Sequence, residues 1–230
     1  MLFPETLAGL SEIDWFPVRL TFQVATLATL IALVSGVSIG YLLARRRLPA
    51  RELLDALVTL PLVLPPTVLG YYLLVLLGAR SPVGRAWQAI FGTPLTFTWP
   101  AAVIAATIHA LPLMIKSARA AIEDVPTTVE NAARTLGAGE WRVFFTITLP
   151  LAWRGLLAAT VLAFARALGD FGVTIMIAGN IPGRTQTAAI AIYDAVQAGR
   201  DNQALLLVVI ISLISVIILY LMNYIGRGRL

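Results

Sequence analysis

Three side chains that carry much of protein chemistry are almost missing: the sequence has no cysteine, one histidine (His109) and one lysine (Lys116). Without cysteine there is neither a disulfide nor a thiolate metal site. A zinc centre draws on several ligands, and with no second histidine no metal site is expected. The lone lysine excludes a P-loop, which needs a glycine-rich run ending in Lys-Ser/Thr. Ser117 does follow Lys116, but Pro112-Leu113-Met114-Ile115 precedes it. No cofactor is therefore expected in this chain, and ATP-driven work would need ATP and magnesium bound by a separate subunit. Zincin and serine-hydrolase chemistry are not expected either. One carboxylate, Asp170, falls deep in an apolar run, which argues against a paired-aspartate intramembrane protease. With no basic stripe or stacking platform, nucleic acid is not an expected partner.

Charge is scarce as well. Charged residues make up 13% of the 230, against about 25% in soluble domains. The chain is 59% hydrophobic, with a mean hydropathy of +0.86. Such a chain is an all-α polytopic membrane protein whose partner is the lipid bilayer. Apolar runs near 20–43, 59–77, 101–117, 155–178 and 204–225 predict about five spans, each close to the length of about 20 residues a crossing needs. They form a single transmembrane domain over 1–230, with a polar loop at 118–153. The first residues, MLFPETLAGLSEIDWF, have no basic n-region and carry Glu5, Glu12 and Asp14, unlike a conventional signal peptide. Basic residues mark the cytoplasmic side. Arg45, Arg46, Arg47, Arg51, Lys116, Arg119, Arg134, Arg142, Arg154, Arg227 and Arg229 fall on one side, against Arg19, Arg80, Arg85, Arg184 and Arg200 on the other. The N-terminus is then outside, and the 118–153 loop and C-terminus are cytoplasmic.

The polar segment Thr127–Pro150 is the main interruption in this apolar chain. Thr127 and Glu130 have capping-box spacing, which predicts a helix start. Val129, Ala132, Ala133 and Leu136 follow at helical spacing and make a narrow apolar stripe. Gly137 sits where a left-handed residue ends a helix at least cost, Gly139 permits a second turn, and Pro150 closes the segment. On these grounds alone it is a docking element or an ordinary surface loop.

Elsewhere, Pro61, Pro65 and Pro66 remove amide donors from the second run, so a straight helix is not expected. That run is a kinked packing helix or a wall of a translocation path. Arg166 and Asp170 are four apart, so they share a helix face and can pair. They form either a structural ion pair or part of a gate. His109 is expected to turn inward onto a backbone carbonyl or hydroxyl. Residues 78–99 read as an external loop, and 187–198 as a short external helix.

Ala132-Ala133, Gly137 and the Ile147-x-Leu149-Pro150 ending resemble the EAA motif of ABC-importer permeases. Strict spacing puts Asn131 at the motif's acid, with Glu130 one residue early. The stretches PLVLPPTVLGYYLL and FARALGDFGVTIMIAGNIPGRTQT further resemble molybdate-importer permeases of the type I class. The resemblance implies a homodimer in a bacterial or archaeal plasma membrane, importing molybdate or tungstate. It further implies a cytoplasmic ABC ATPase contacting Glu130, Asn131, Ala132, Ala133, Gly137, Leu149 and Pro150, and a periplasmic or extracellular binding protein. Pro65, Pro66, Arg166 and Asp170 would line the path or its gate. A sulfate-type permease is the nearest alternative, and a secondary carrier or channel a more distant one.

Overall fold

The computed structural model describes residues 14–45 and 50–227. The readings of the extreme N-terminus, Arg46, Arg47 and Arg229 lie outside them. Every regular element among the described residues is helical: α1 (Phe16–Arg45), α2 (Arg51–Val63), α3 (Pro66–Leu77), α4 (Pro82–Phe91), α5 (Trp99–Glu123), α6 (Thr127–Thr135), α7 (Glu140–Leu168), α8 (Gly172–Ala178), α9 (Ala188–Gln197) and α10 (Asp201–Arg227). Four of these, α1, α5, α7 and α10, are long and apolar enough to cross a membrane. At about 1.5 Å per residue, the 30 residues of α1 reach about 45 Å, enough for the hydrocarbon core and both headgroup layers.

The fifth expected span is not a straight rod. α2 and α3 meet at 108° across Leu64 and Pro65. Pro65 has no amide hydrogen to continue the ladder, and its ring disfavours helical backbone at Leu64, which is extended with ψ 137°. Pro66 then takes the first position of α3, where the missing donor costs nothing. The fourth expected span, 155–178, is also corrected. α7 stops at Leu168 and α8 starts at Gly172, so Gly169, Asp170 and Phe171 form a break where a continuous helix was expected.

α5 is the axis of the fold, lying between α1 and α7. The three meet through Ala25, Ala28, Ala32, Ala101, Ala102, Ala105, Ala106, Ala110, Ala159 and Ala163, all buried. Lipid tails are as apolar as leucine, so association gains from close backbone approach, which small side chains permit. α1 comes close to α5 at Gly36 and Gly40. A Cβ on Gly36 would lie 2.5 Å from Met114 Cγ, and one on Gly40 would lie 3.1 Å from the Ile115 carbonyl oxygen. Gly36-Val37-Ser38-Ile39-Gly40 has the letters of a serine-hydrolase elbow, but Ser38 sits mid-helix with its hydroxyl donating to the Val34 carbonyl. α10, by contrast, exposes Leu205, Val208, Leu213, Val216 and Tyr220 along its length.

The stretch 78–99 contains a helix where a loop was expected. Ser81 caps α4 by accepting from the Gly84 amide, Pro82 follows it, and Gly92 ends the helix at φ 72°. The expected helix near 187–198 is α9, but Tyr193 and Val196 of its apolar spacing face outward. Ile190, Ala191 and Ala195 make its buried face.

Candidate functional site

The polar segment is a helix, a glycine and a second helix. Gly137 has φ 85°, a conformation that glycine adopts without the Cβ clash other residues meet. The Ala138 amide donates to Ala133 O and the Gly137 amide to Arg134 O, closing α6 with the paired bonds of a glycine-ended helix. Its N-terminus differs from expectation. Pro126 occupies the cap position, Thr127 makes no capping bond, and Glu130 does not reach back to it.

Glu130 instead turns inward and is completely buried. Its Oε1 accepts from Arg45 Nη2 at 3.0 Å and from the Thr148 hydroxyl at 2.6 Å. Arg45 Nη2 also donates to the carbonyls of Ile122 (2.8 Å) and Val125 (2.9 Å), at and just past the end of α5. One guanidinium therefore fastens the end of α1 to the end of α5 and to α6. Burying a carboxylate costs several kcal/mol unless its charge is met (order of magnitude), and the Arg45 cation and Thr148 hydroxyl meet it here.

Helix extends into both ends of the expected 118–153 loop. α5 continues to Glu123 and α7 begins at Glu140. Pro150 does not close the segment either; it is exposed and lies inside continuous helix. A π-helical turn over Phe144–Thr148 precedes it, with the Leu149 amide donating to the Phe144 carbonyl. Ahead of a proline that cannot donate, the wider turn lets the helix continue. Leu149 packs against the buried cluster of Val37, Ala118, Ile122, Val125, Ala152 and Leu156.

The outward face of the segment carries Ala132, Leu136 (89% exposed) and Trp141 (78% exposed), with Val129 beside them. Ala133 is half-buried, and Asn131 is exposed, accepting from Arg134 Nη1 at 2.9 Å. Arg134 also grips Glu140 at 2.8 and 3.1 Å, and these bonds raise its already high guanidinium pKa, keeping it cationic.

The second cluster lies between α5 and the α7–α8 break. Arg166 and Asp170 make no direct ion pair, because the break takes Asp170 off the α7 face. His109 stands between them. Its Nδ1 is 2.8 Å from Asp170 Oδ1, and Arg166 Nη2 lies against both ring nitrogens, 2.9 Å from Nδ1 and closer still to Nε2. The Thr174 hydroxyl donates to Asp170 Oδ2 at 2.5 Å. Arginine can only donate and carboxylate can only accept. A ring that hydrogen-bonds both presents an Nδ1 hydrogen to Asp170 and an Nε2 lone pair to Arg166. The expected carbonyl or hydroxyl partner of His109 is thus a carboxylate. Pro66 belongs to the same neighbourhood: a Cβ on Gly172 would lie 2.5 Å from Pro66 Cβ. The two broken spans therefore meet at their breaks, with exposed Pro65 next to that joint.

Residues 36–229 match the family of binding-protein-dependent transport system inner membrane components. This chain belongs to that family. It is 45% identical over 219 residues to the Escherichia coli K12 molybdenum transport system permease protein ModB, covering 95% of this chain and 96% of that protein. The sulfate transport system permease protein CysT of the same organism is 33% identical over 205 residues, covering 89% of this chain and 74% of CysT. Among solved structures, a bacterial ABC transporter involved in import of the acidic polysaccharide alginate superposes with a TM-score of 0.76 at 15% identity, over 99% of this chain and 84% of that one. This last likeness shows the fold alone.

For this permease, sequence reasoning missed Arg45, Thr148, Gly36 and Gly40. Arg45 stood out only as a topogenic charge, and its partner is 85 residues away. The Gly36-x-x-x-Gly40 spacing was a readable signal of close helix packing.

Proposed function

We propose that this permease is the membrane subunit of an ATP-driven importer of molybdate or tungstate, working as a homodimer in a bacterial or archaeal plasma membrane. The N-terminus lies outside; the α6–α7 segment and C-terminus lie in the cytoplasm. A separate ABC ATPase binds ATP and magnesium and docks on that segment, and a binding protein delivers the oxyanion on the opposite side. The observation that carries this reading is the exposed edge of Leu136 and Trp141 on a segment whose base is fastened by buried charge. Large apolar side chains facing water invite a partner, and the buried base lets force on that edge reach the bundle. The Pro66–Gly172 joint and the Arg166–His109–Asp170 cluster form the path wall and its gate. Molybdate is favoured over sulfate by the higher identity to the molybdenum permease.

The test is ATP hydrolysis by the permease–ATPase complex in liposomes with oxyanion-loaded binding protein. Stimulation by molybdate or tungstate and not by sulfate is expected. Stimulation by sulfate alone would move the substrate and keep the mechanism. Absence of any ATPase partner would overturn the reading.

A further inference from the structure

Arg45 has no part in the motif that suggests coupling, yet it holds that motif in place. Its Nη2 faces the Ile122 and Val125 carbonyls and Glu130 Oε1, all within 3.0 Å, and its side chain is 12% exposed. Thr148, in the π-helical turn of α7, closes on the same carboxylate oxygen. Beside it, the rings of Tyr41 in α1 and Phe144 in α7 meet edge to face with centroids 4.9 Å apart. α1, α6 and α7 therefore meet at one buried carboxylate, and the same arginine ties in the end of α5. Glu130 Oε2 accepts no hydrogen bond and Arg134 Nη2 stands 3.7 Å from it, so the hydrogen-bonded hold on the carboxylate comes from the Arg45–Thr148 side.

From this we infer that Arg45 is a positioning residue for coupling, joining the first span to the α6–α7 segment so that the two move as one body. The inference rests on the proposed ATPase-docking role of that segment. Without that bond a push on Leu136 would bypass the first span, leaving the Thr148 and Glu140 contacts of α7 to anchor α6. That helix has nine residues and hardly any buried side chain besides Glu130. With the Arg45–Glu130 bond intact, the same push carries the end of α1 with it, and the Gly36–Gly40 contact hands it on to α5.

The experiment uses the permease–ATPase complex in liposomes with binding protein and molybdate, reading oxyanion transported per ATP hydrolysed. Arg45→Ala should keep the ATPase bound and hydrolysing while transport per ATP falls by about tenfold, within the range of allosteric couplings. Arg45→Lys should recover part of the loss, since a lysine can pair with Glu130 but cannot span both carbonyls. The Arg45→Ala/Glu130→Ala double variant should lose no more than Arg45→Ala alone. An unchanged ratio for Arg45→Ala, or additive losses in the double variant, would overturn the inference.

A second measurement keeps the test decisive if Arg45→Ala does not assemble. The chain has no native cysteine, so Tyr41→Cys/Phe144→Cys can be bridged by a short cleavable thiol reagent. If the two elements move together, the bridged protein transports as well as the cleaved one. Loss of transport on bridging, restored on cleavage, would show that they must separate and would overturn the inference. Failure of the unmodified complex to form at all is a different result, and counts against the ATPase reading instead.

Discussion

The molecule buries two carboxylates among the described residues and treats them differently. At the base of the α6–α7 segment, Glu130 meets an arginine directly. In the membrane-spanning part, Asp170 meets its arginine only through the His109 ring. A direct ion pair concentrates attraction in one contact and resists being pulled apart. A relay through a ring with one donor and one acceptor fixes direction instead, because either nitrogen changing its role breaks a bond on one side. The first arrangement suits a fastener that must transmit force. The second suits a joint, where Arg166 can leave without stripping Asp170 of Thr174 and His109.

The largest effect that would break this contrast is Asp170→Ala. It removes the acceptor that the His109 ring and the Thr174 hydroxyl share, and each buried group left unpaired costs about 1–3 kcal/mol. The expected outcome is lost yield and a lowered midpoint in thermal unfolding of the detergent-solubilised protein. His109→Gln sharpens the contrast. An amide still has one donor and one acceptor, so it should cost only about 0.5–1.5 kcal/mol by the same measurement, with His109→Leu clearly worse. If leucine is tolerated as well as glutamine, the relay is not a relay. Glu130→Gln should fall near about 1–3 kcal/mol, since its amide oxygen can still accept from Arg45 and Thr148 but the charge is gone.

Smaller effects come from groups outside the buried sets. Gly137→Ala places a Cβ on a left-handed residue and should cost about 1–2 kcal/mol, with Gly137→Asn closer to neutral in the same unfolding assay. Gly137→Pro, which also removes a donated amide, should abolish transport while protein stays in the membrane. Smallest is Arg134→Gln. Its bonds to Glu140 are partly open to water, so the change should stay under about 1 kcal/mol and shrink further in high salt.

Much of this was legible in the sequence because it rests on local chemistry. The proline break at Leu64–Pro65 follows from ring geometry, the end of α6 from Gly137, and the number of apolar runs from helix length. What stayed hidden depended on partners far along the chain. Glu130 followed Thr127 at a good capping interval, and nothing nearby revealed that Arg45 would claim it. Asp170 looked like the i+4 partner of Arg166 because the Gly169-Asp170-Phe171-Gly172 string was read as helix. The competing pull came from His109, 61 residues earlier. The Leu149-Pro150 pair looked like an ending because the π-helical turn that accommodates it has no simple sequence signal.

That turn sets an angle. A π-helical turn is an α-helix with one residue inserted, and each α-helical residue turns the chain by about 100°. Everything on the N-terminal side of Phe144 is therefore rotated by about that much, relative to the span, from where an unbroken α-helix would point it. The turn works like a phase offset between a cog and its shaft. It lets Thr148 look inward at Glu130 while Trp141, one step outward along the same rod, looks away from the bundle. Deleting one residue between Phe144 and Thr148 would leave a regular helix of nearly the same length and composition, with its teeth facing the wrong way.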